Sequence, residues 1–125
     1  MLVKDLMKRV YTIDKDITLK EAAKIMSDKG YGCLVFVSGD KIRGIITERD
    51  LLKNFESGGV VSDVMTKKVI TIGGENNIVD ALGIMRKSNI KKLPVVDGKN
   101  KLIGIITLTD LAKISDDAGE GFFFD

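Results

Sequence analysis

Four residues of this chain are placed to do chemistry on a ligand, and they come as two matched pairs: Thr47 with Asp50, and Thr107 with Asp110. Each pair stands at i and i+3 where a helix is expected to begin, which sets the two side chains about 5 to 6 Å apart. A carboxylate there can accept hydrogen bonds from both hydroxyls of a ribose, and a threonine hydroxyl with first-turn N–H groups suits a phosphate. The same T-x-x-D spacing is a helix cap, in which the threonine satisfies an orphan N–H and the aspartate reaches back. Spacing alone leaves both readings open. Gly44 and Gly104, three residues ahead of each threonine, are equally double: a strand bulge, or room for a ligand to approach the backbone.

Other chemistry is excluded by what the chain lacks. With no histidine and a single cysteine, Cys33, it cannot assemble a Ser-His-Asp or Cys-His arrangement, nor a zinc site of the usual ligands. No local motif nominates a catalytic pair among the eighteen acids, so no catalytic residue, metal or cofactor is expected and the chain is not expected to act as an enzyme. Twenty Lys and Arg leave a net charge of only +2. With that balance, and with five Phe and two Tyr as the only aromatics, a nucleic-acid partner is not expected. Cys33 cannot form an intramolecular disulfide, and a reducing cytoplasm is the default location. It is expected to be a small buried apolar side chain at a strand start. Met1 to Val10 carries Lys4, Asp5, Lys8 and Arg9, which is unlike a signal peptide, and no run reaches the roughly 18 to 20 apolar residues of a membrane span. Lys8-Arg9 and Lys67-Lys68, just ahead of extended segments, read as solvated charge, with contact to a phosphate as the alternative.

The elements that must position the two pairs are themselves written twice. Val3-Lys4-Asp5-Leu6-Met7 returns as Val61-Ser62-Asp63-Val64-Met65, and Val10 to Ile13 returns as Val69 to Ile72. Leu19 to Met26 matches Ile78 to Met85, and Lys41 to Thr47 matches Lys101 to Thr107. The offset grows from 58 to 60 through two single-residue insertions, near Lys67 or Lys68 and near Lys99 or Asn100. Each copy predicts a short strand, a helix, two strands and a second helix. Thr18 with Glu21 forms a capping box for a helix running to about Lys29, which Gly30 stops. Leu34 to Val37 is a continuous apolar run, as in a strand buried on both faces. Ser38-Gly39-Asp40 turns the chain into Lys41 to Ile46, and Thr47 to Asn54 begins the second helix. In the second copy Asn77 with Asp80 starts the helix, Asn89 lies near its end, and Asp97-Gly98 turns the hairpin. Pro94, lacking an N–H, is expected at the start of its strand. Repeats at 1–57 and 58–114 would leave a tail at 115–125. A unit of about 55 residues is marginal alone, so two copies sharing an apolar face around an approximate two-fold are expected, with two related clefts beside the shared face.

On these features the chain resembles the CBS-domain family, named after cystathionine β-synthase. The resemblance is carried by Asp5-Leu6-Met7 and Asp63-Val64-Met65, by Gly44-Ile45-Ile46-Thr47-Glu48-Arg49-Asp50 and Gly104-Ile105-Ile106-Thr107-Leu108-Thr109-Asp110, and by Lys92 to Asp97. It spans residues 3 to 114. It implies a tandem α/β pair that folds as one regulatory module, often a homodimer, and binds adenosine derivatives such as AMP, ATP or S-adenosylmethionine. The alternative is an interaction protein whose repeats only dimerise. With the duplication and the resemblance together, ligand contact by the T-x-x-D pairs becomes the expectation. By the family's pattern, one cleft joins Thr47, Arg49 and Asp50 to Thr71 and the loop Asn89, Ile90, Lys91, Lys92, Leu93. The other joins Thr107 and Asp110 to Thr12 and the loop Tyr31, Gly32, Cys33, Leu34. Loop backbone would read the adenine edge, with Ile90 or Tyr31 either against the ring or packed in the core. Arg49, Lys91 and Lys92 would gather at the first cleft and none of these at the second, so the first is expected to prefer phosphate-bearing ligands. Leu51, Leu52 and Phe55, with Leu111, Ala112 and Ile114, are expected to supply the dimer face. The effector that would receive a signal is not written in this sequence.

Overall fold

A computed structural model describes the backbone of residues 1–118 and the side chains of residues 1–114. In chain order the elements are α1 (Val3–Leu6), β1 (Thr12–Ile13), α2 (Leu19–Lys29), β2 (Cys33–Ser38), β3 (Lys41–Thr47), α3 (Glu48–Asn54) and α4 (Val61–Val64). They continue as β4 (Ile72–Gly73), α5 (Ile78–Ser88), β5 (Lys92–Val96), β6 (Leu102–Thr107) and α6 (Leu108–Ala118). The chain divides into two compact units, Val10–Val69 and Met1–Arg9 with the chain from Ile70 onward.

Each unit holds a three-stranded sheet, β1-β2-β3 or β4-β5-β6, with a parallel first pair and an antiparallel second pair. In the Val10–Val69 unit, Ile13, Ile17, Leu19, Ala22, Met26, Leu34, Ile46 and Val61 form the core. In the other, Val3, Ile72, Ile78, Ala81, Leu82, Met85, Leu93, Val95, Ile106 and Leu111 do so. The helices begin and end where their side chains require. Thr18 Oγ1 accepts from Glu21 N–H at 3.0 Å, and Asn77 Oδ1 accepts from Val79 N–H at 2.9 Å. Gly30 and Asn89 close α2 and α5 in the left-handed region, at φ 64° and 53°, where a residue without a Cβ or with a short amide is tolerated.

The leading segments exchange places. Val3 and Val61 occupy equivalent places in the sequence repeats, yet Val3 packs in the core that contains Leu93 and Val61 in the one that contains Leu34. The backbone is stitched the same way twice. Lys8 exchanges two hydrogen bonds with Ile105, and Thr66 exchanges two with Ile45. The sequence repeats at 1–57 and 58–114 and the compact units therefore cut the chain at different places. Helix α6 runs on to Ala118, through the first residues of the expected tail, while Phe122 to Phe124 lie outside the described residues.

Pro94 is not at the start of its strand: it is third in β5, the central strand of its sheet. The place is tolerated because its missing N–H faces β4, a strand of only two residues, and costs that short ladder one bond. Its counterpart Val35 donates to Tyr11 O at 3.0 Å, on the β1 side. Without that donor the β4 ladder starts one residue later, at Ile72 with Val95, whereas β1 starts at Thr12 with Val35. Thr71 is thereby left just outside β4 while Thr12 lies within β1. Among the described residues no helix is long and apolar enough to cross a membrane.

Candidate functional site

Both T-x-x-D pairs sit at the end of the last strand of their sheet, where the chain turns into a helix. The extended backbone of Thr47 puts its side chain over the first turn, and all three bonds of a capping box form. Asp50 Oδ2 accepts from Thr47 N–H at 2.9 Å and from Thr47 Oγ1–H at 3.1 Å, while Asp50 N–H donates to Thr47 Oγ1 at 3.4 Å. At the second pair the corresponding distances are 3.0, 2.8 and 3.2 Å. The cap reading is thus physically realised in both copies.

That geometry uses only half of each carboxylate. Both cap bonds fall on Oδ2, so Oδ1 of each aspartate lies outside the cap. The threonine hydroxyls are a different matter, because each gives its one proton to the aspartate and takes a bond from the backbone. The expected donation from threonine to a phosphate would require breaking the cap. The aspartate is the group of the pair with acceptor capacity in reserve, and hydroxyls are what a carboxylate oxygen accepts from.

The helix-to-strand loops lie beside these pairs within each unit. Cys33 stands opposite Thr47 in the β2–β3 ladder, and Glu48 N–H donates to Gly32 O at 3.1 Å. Likewise Lys92 stands opposite Thr107, and Leu108 N–H donates to Lys91 O at 2.9 Å. Leu34 and Leu93 are core residues and Cys33 is wholly buried, so these three could meet a ligand only through their backbone. Ile90 packs on the core of its unit, and Tyr31 packs edge-on to Tyr11 with ring centres 4.7 Å apart. Arg49, Asn89, Lys91 and Thr12 are exposed.

Gly44 and Gly104 have a local explanation. A register shift immediately precedes each of them in its strand, and a Cβ at either position would run into a methionine sulfur, Met65 at Gly44 and Met7 at Gly104. The glycines make room for the methionines of the leading segments.

One residue has a partner that its sequence reading did not name. Lys8, read as solvated charge, extends its Nζ to within 3.5 Å of Asp110 Oδ1. Lys8 and Thr66 are equivalent in the repeat, but that equivalence gives no sign of the contact. What the sequence did not convey is that each leading segment is laced to the sheet of the other repeat. Asp110 is the more deeply placed acid, buried where Asp50 is half-buried. Among the described residues no cluster of three or more His, Cys, Asp or Glu is arranged to hold a metal.

Comparison with known proteins places these features in context. The family model of the CBS domain matches residues 3–57 and again 61–117. An uncharacterised protein of Methanocaldococcus jannaschii is 42% identical over 108 residues, which are 86% of this chain and 36% of that protein. The inosine-5′-monophosphate dehydrogenase of Thermoplasma acidophilum is 38% identical over 106 residues, 85% of this chain and 22% of the enzyme. The chain therefore spans only about a fifth to a third of these two relatives. Among solved structures, a CBS domain pair in complex with 5′-methylthioadenosine and S-adenosyl-L-methionine matches with a TM-score of 0.88 at 31% identity, covering 94% of this chain and 98% of that one.

Proposed function

This chain belongs to the CBS-domain family, and from that premise we propose that it is a non-catalytic regulatory module that binds adenosine-containing ligands through its two T-x-x-D aspartates. The observation that carries the reading is the divided carboxylate: Oδ2 of Asp50 and of Asp110 holds the helix cap, while Oδ1 is outside it. A ribose hydroxyl can bond there without dismantling the fold. The similarity to a CBS pair in complex with 5′-methylthioadenosine and S-adenosyl-L-methionine supports an adenosine ligand.

Asp50 and Asp110 are assigned to ribose. The backbone of Tyr31 to Cys33 and of Ile90 to Lys92 is assigned to the base, because loop carbonyl and N–H groups can read an adenine edge while the apolar side chains there are committed to packing. Exposed Arg49 and Lys91, with half-buried Lys92, remain candidates for an anionic group. An effector protein, and a second copy of this chain, complete the reading as partners.

Thermal melting against adenosine, 5′-methylthioadenosine, S-adenosylmethionine, AMP and ATP tests the proposal. A ligand at about a hundred times its dissociation constant adds about 2.7 kcal/mol, a rise of several degrees for a chain of this length. Melting that ignores every member of the panel would leave the T-x-x-D pairs as caps only, in a protein that works by association.

A further inference from the structure

The position of Lys8 is fixed by backbone before its side chain is considered. Its N–H donates to Ile105 O at 2.9 Å and its carbonyl accepts from Ile105 N–H at 3.0 Å, two residues before Thr107 on β6. Met7, next to it, lies against Gly104. From this anchored start the side chain carries its ammonium to 3.5 Å from Asp110 Oδ1, the oxygen that the cap does not use. The Asp110 side chain is 10% exposed and that of Lys8 is 46% exposed, so the ammonium stands between a buried acid and solvent. In the other unit the same ladder position beside Ile45 holds Thr66, which has no charge and is too short to reach as far.

We infer that Lys8 is the charge-selecting residue at Asp110: when a ligand carrying an anionic group arrives, the Lys8 ammonium leaves Asp110 Oδ1 for that group, and Oδ1 accepts the ribose hydroxyl instead. The inference rests on the proposal that Asp110 holds a ribose. The physical basis is an exchange of partners. A neutral nucleoside must take Oδ1 from Lys8 and give the ammonium nothing in return. An anion offers the ammonium a charge-assisted bond to replace the one it loses, and an ion pair 3.5 Å apart whose ammonium is half-exposed can exchange partners. The cations expected only beside Asp50 thus have a counterpart at Asp110, supplied by a segment that precedes the first repeat's strand.

The test is calorimetric titration of AMP and of adenosine into the full chain carrying Asp50→Ala, so that Asp110 reports alone, with and without Lys8→Met. Removing the ammonium is expected to weaken AMP about tenfold or more and to leave adenosine unchanged or tighter. Equal effects on the two ligands, or none, would overturn the inference while leaving the adenosine reading intact. Failure of the unmodified chain to bind either ligand sinks both. Should Lys8→Met melt before it can be titrated, the reverse graft decides: Thr66→Lys in an Asp110→Ala background must raise AMP relative to adenosine at Asp50, and an unchanged ratio overturns the inference.

Discussion

At the residue scale the two aspartates cap their helices through Oδ2, and the ribose contact proposed for Oδ1 can be tested apart from that task. Asp50→Ala removes the acceptor of the cap and should lower stability by roughly 0.5 to 2 kcal/mol. On the proposed reading it also removes the ribose acceptor, at about 1.5 to 3 kcal/mol of binding for each bond to the charged group. Chemical denaturation and titration of the same variant measure both, and a loss of stability with unchanged affinity would reduce Asp50 to a cap. A second residue-scale expectation concerns acid. Asp16 accepts from the hydroxyl and the N–H of Ser62, and these bonds hold its pKa below the ordinary 3.8. Asp97 is lowered in the same direction by the N–H groups of Lys101 and Lys99 across the hairpin turn. A depressed carboxylate contributes stability that is complete above its unfolded pKa and is lost as pH falls through the folded one. Urea melts should therefore weaken from pH 5 to pH 3, and less so for Ser62→Ala, which has already given up part of that contribution. An equal acid loss in the variant would show that Asp16 does not take part.

At the scale of elements, the exchanged leading segments make the methionine and the glycine of the family phrases mechanical partners. A Cβ at Gly104 would stand 2.8 Å from Met7 Sδ and 3.0 Å from the carbonyl oxygen of Lys8. The sulfur can swing aside, but the carbonyl is held by its bond from Ile105 N–H. Gly104→Ala should accordingly cost about 1 to 3 kcal/mol, the range for overpacking, and Met7→Ala should restore only part of it. Full restoration in the double variant would mean that the backbone contact is harmless. The Lys8 and Ile105 ladder that this clash would push apart is the one that sets the Lys8 ammonium beside Asp110, so the glycine serves the candidate site at one remove.

For the whole molecule, fewer apolar helix residues are left to support the proposed association than the sequence suggested. Leu111 is wholly buried, and Leu51 and Ile114 pack on the cores of their own units. Ala112 is half-buried, which leaves Leu52 and Phe55, each 73% exposed and three residues apart on and just past α3. If the chain forms a homodimer through this helix, Leu52→Glu with Phe55→Glu should convert it to a monomer in light scattering at tens of micromolar while its melt changes little. A dimer that survives both charges would move the interface elsewhere. The exchange of leading segments has its own whole-chain consequence. Deleting residues 1–9 should cost hydrogen-exchange protection at Ile78 and Ile105, whose amides bond to Met1 and Lys8, before it costs any at Val35 or Ile46. Loss confined to the first repeat would contradict the packing of Val3 with Leu93.

What the sequence determined by itself follows from interactions that are local or periodic. Thr18 with Glu21 and Asn77 with Asp80 announced their helices, Gly30 and Asn89 ended them, and the apolar runs at Leu34 and Leu93 became buried strands because each signal acts within a few residues of itself. The duplication and the two T-x-x-D pairs were legible for the same reason. That the cap uses Oδ2 and leaves Oδ1 outside it was not, since the cap and ligand readings share one spacing. Pro94 was misplaced because whether a missing N–H matters depends on how far the neighbouring strand extends. The tertiary structure alone decided that Lys8 meets Asp110, 102 residues away along the chain. Repeats similar enough to align are also similar enough to exchange segments, because Val3 and Val61 fill the same kind of space beside either sheet. Which segment lies on which sheet is settled by long-range backbone pairing, and sequence similarity between the two copies is blind to it.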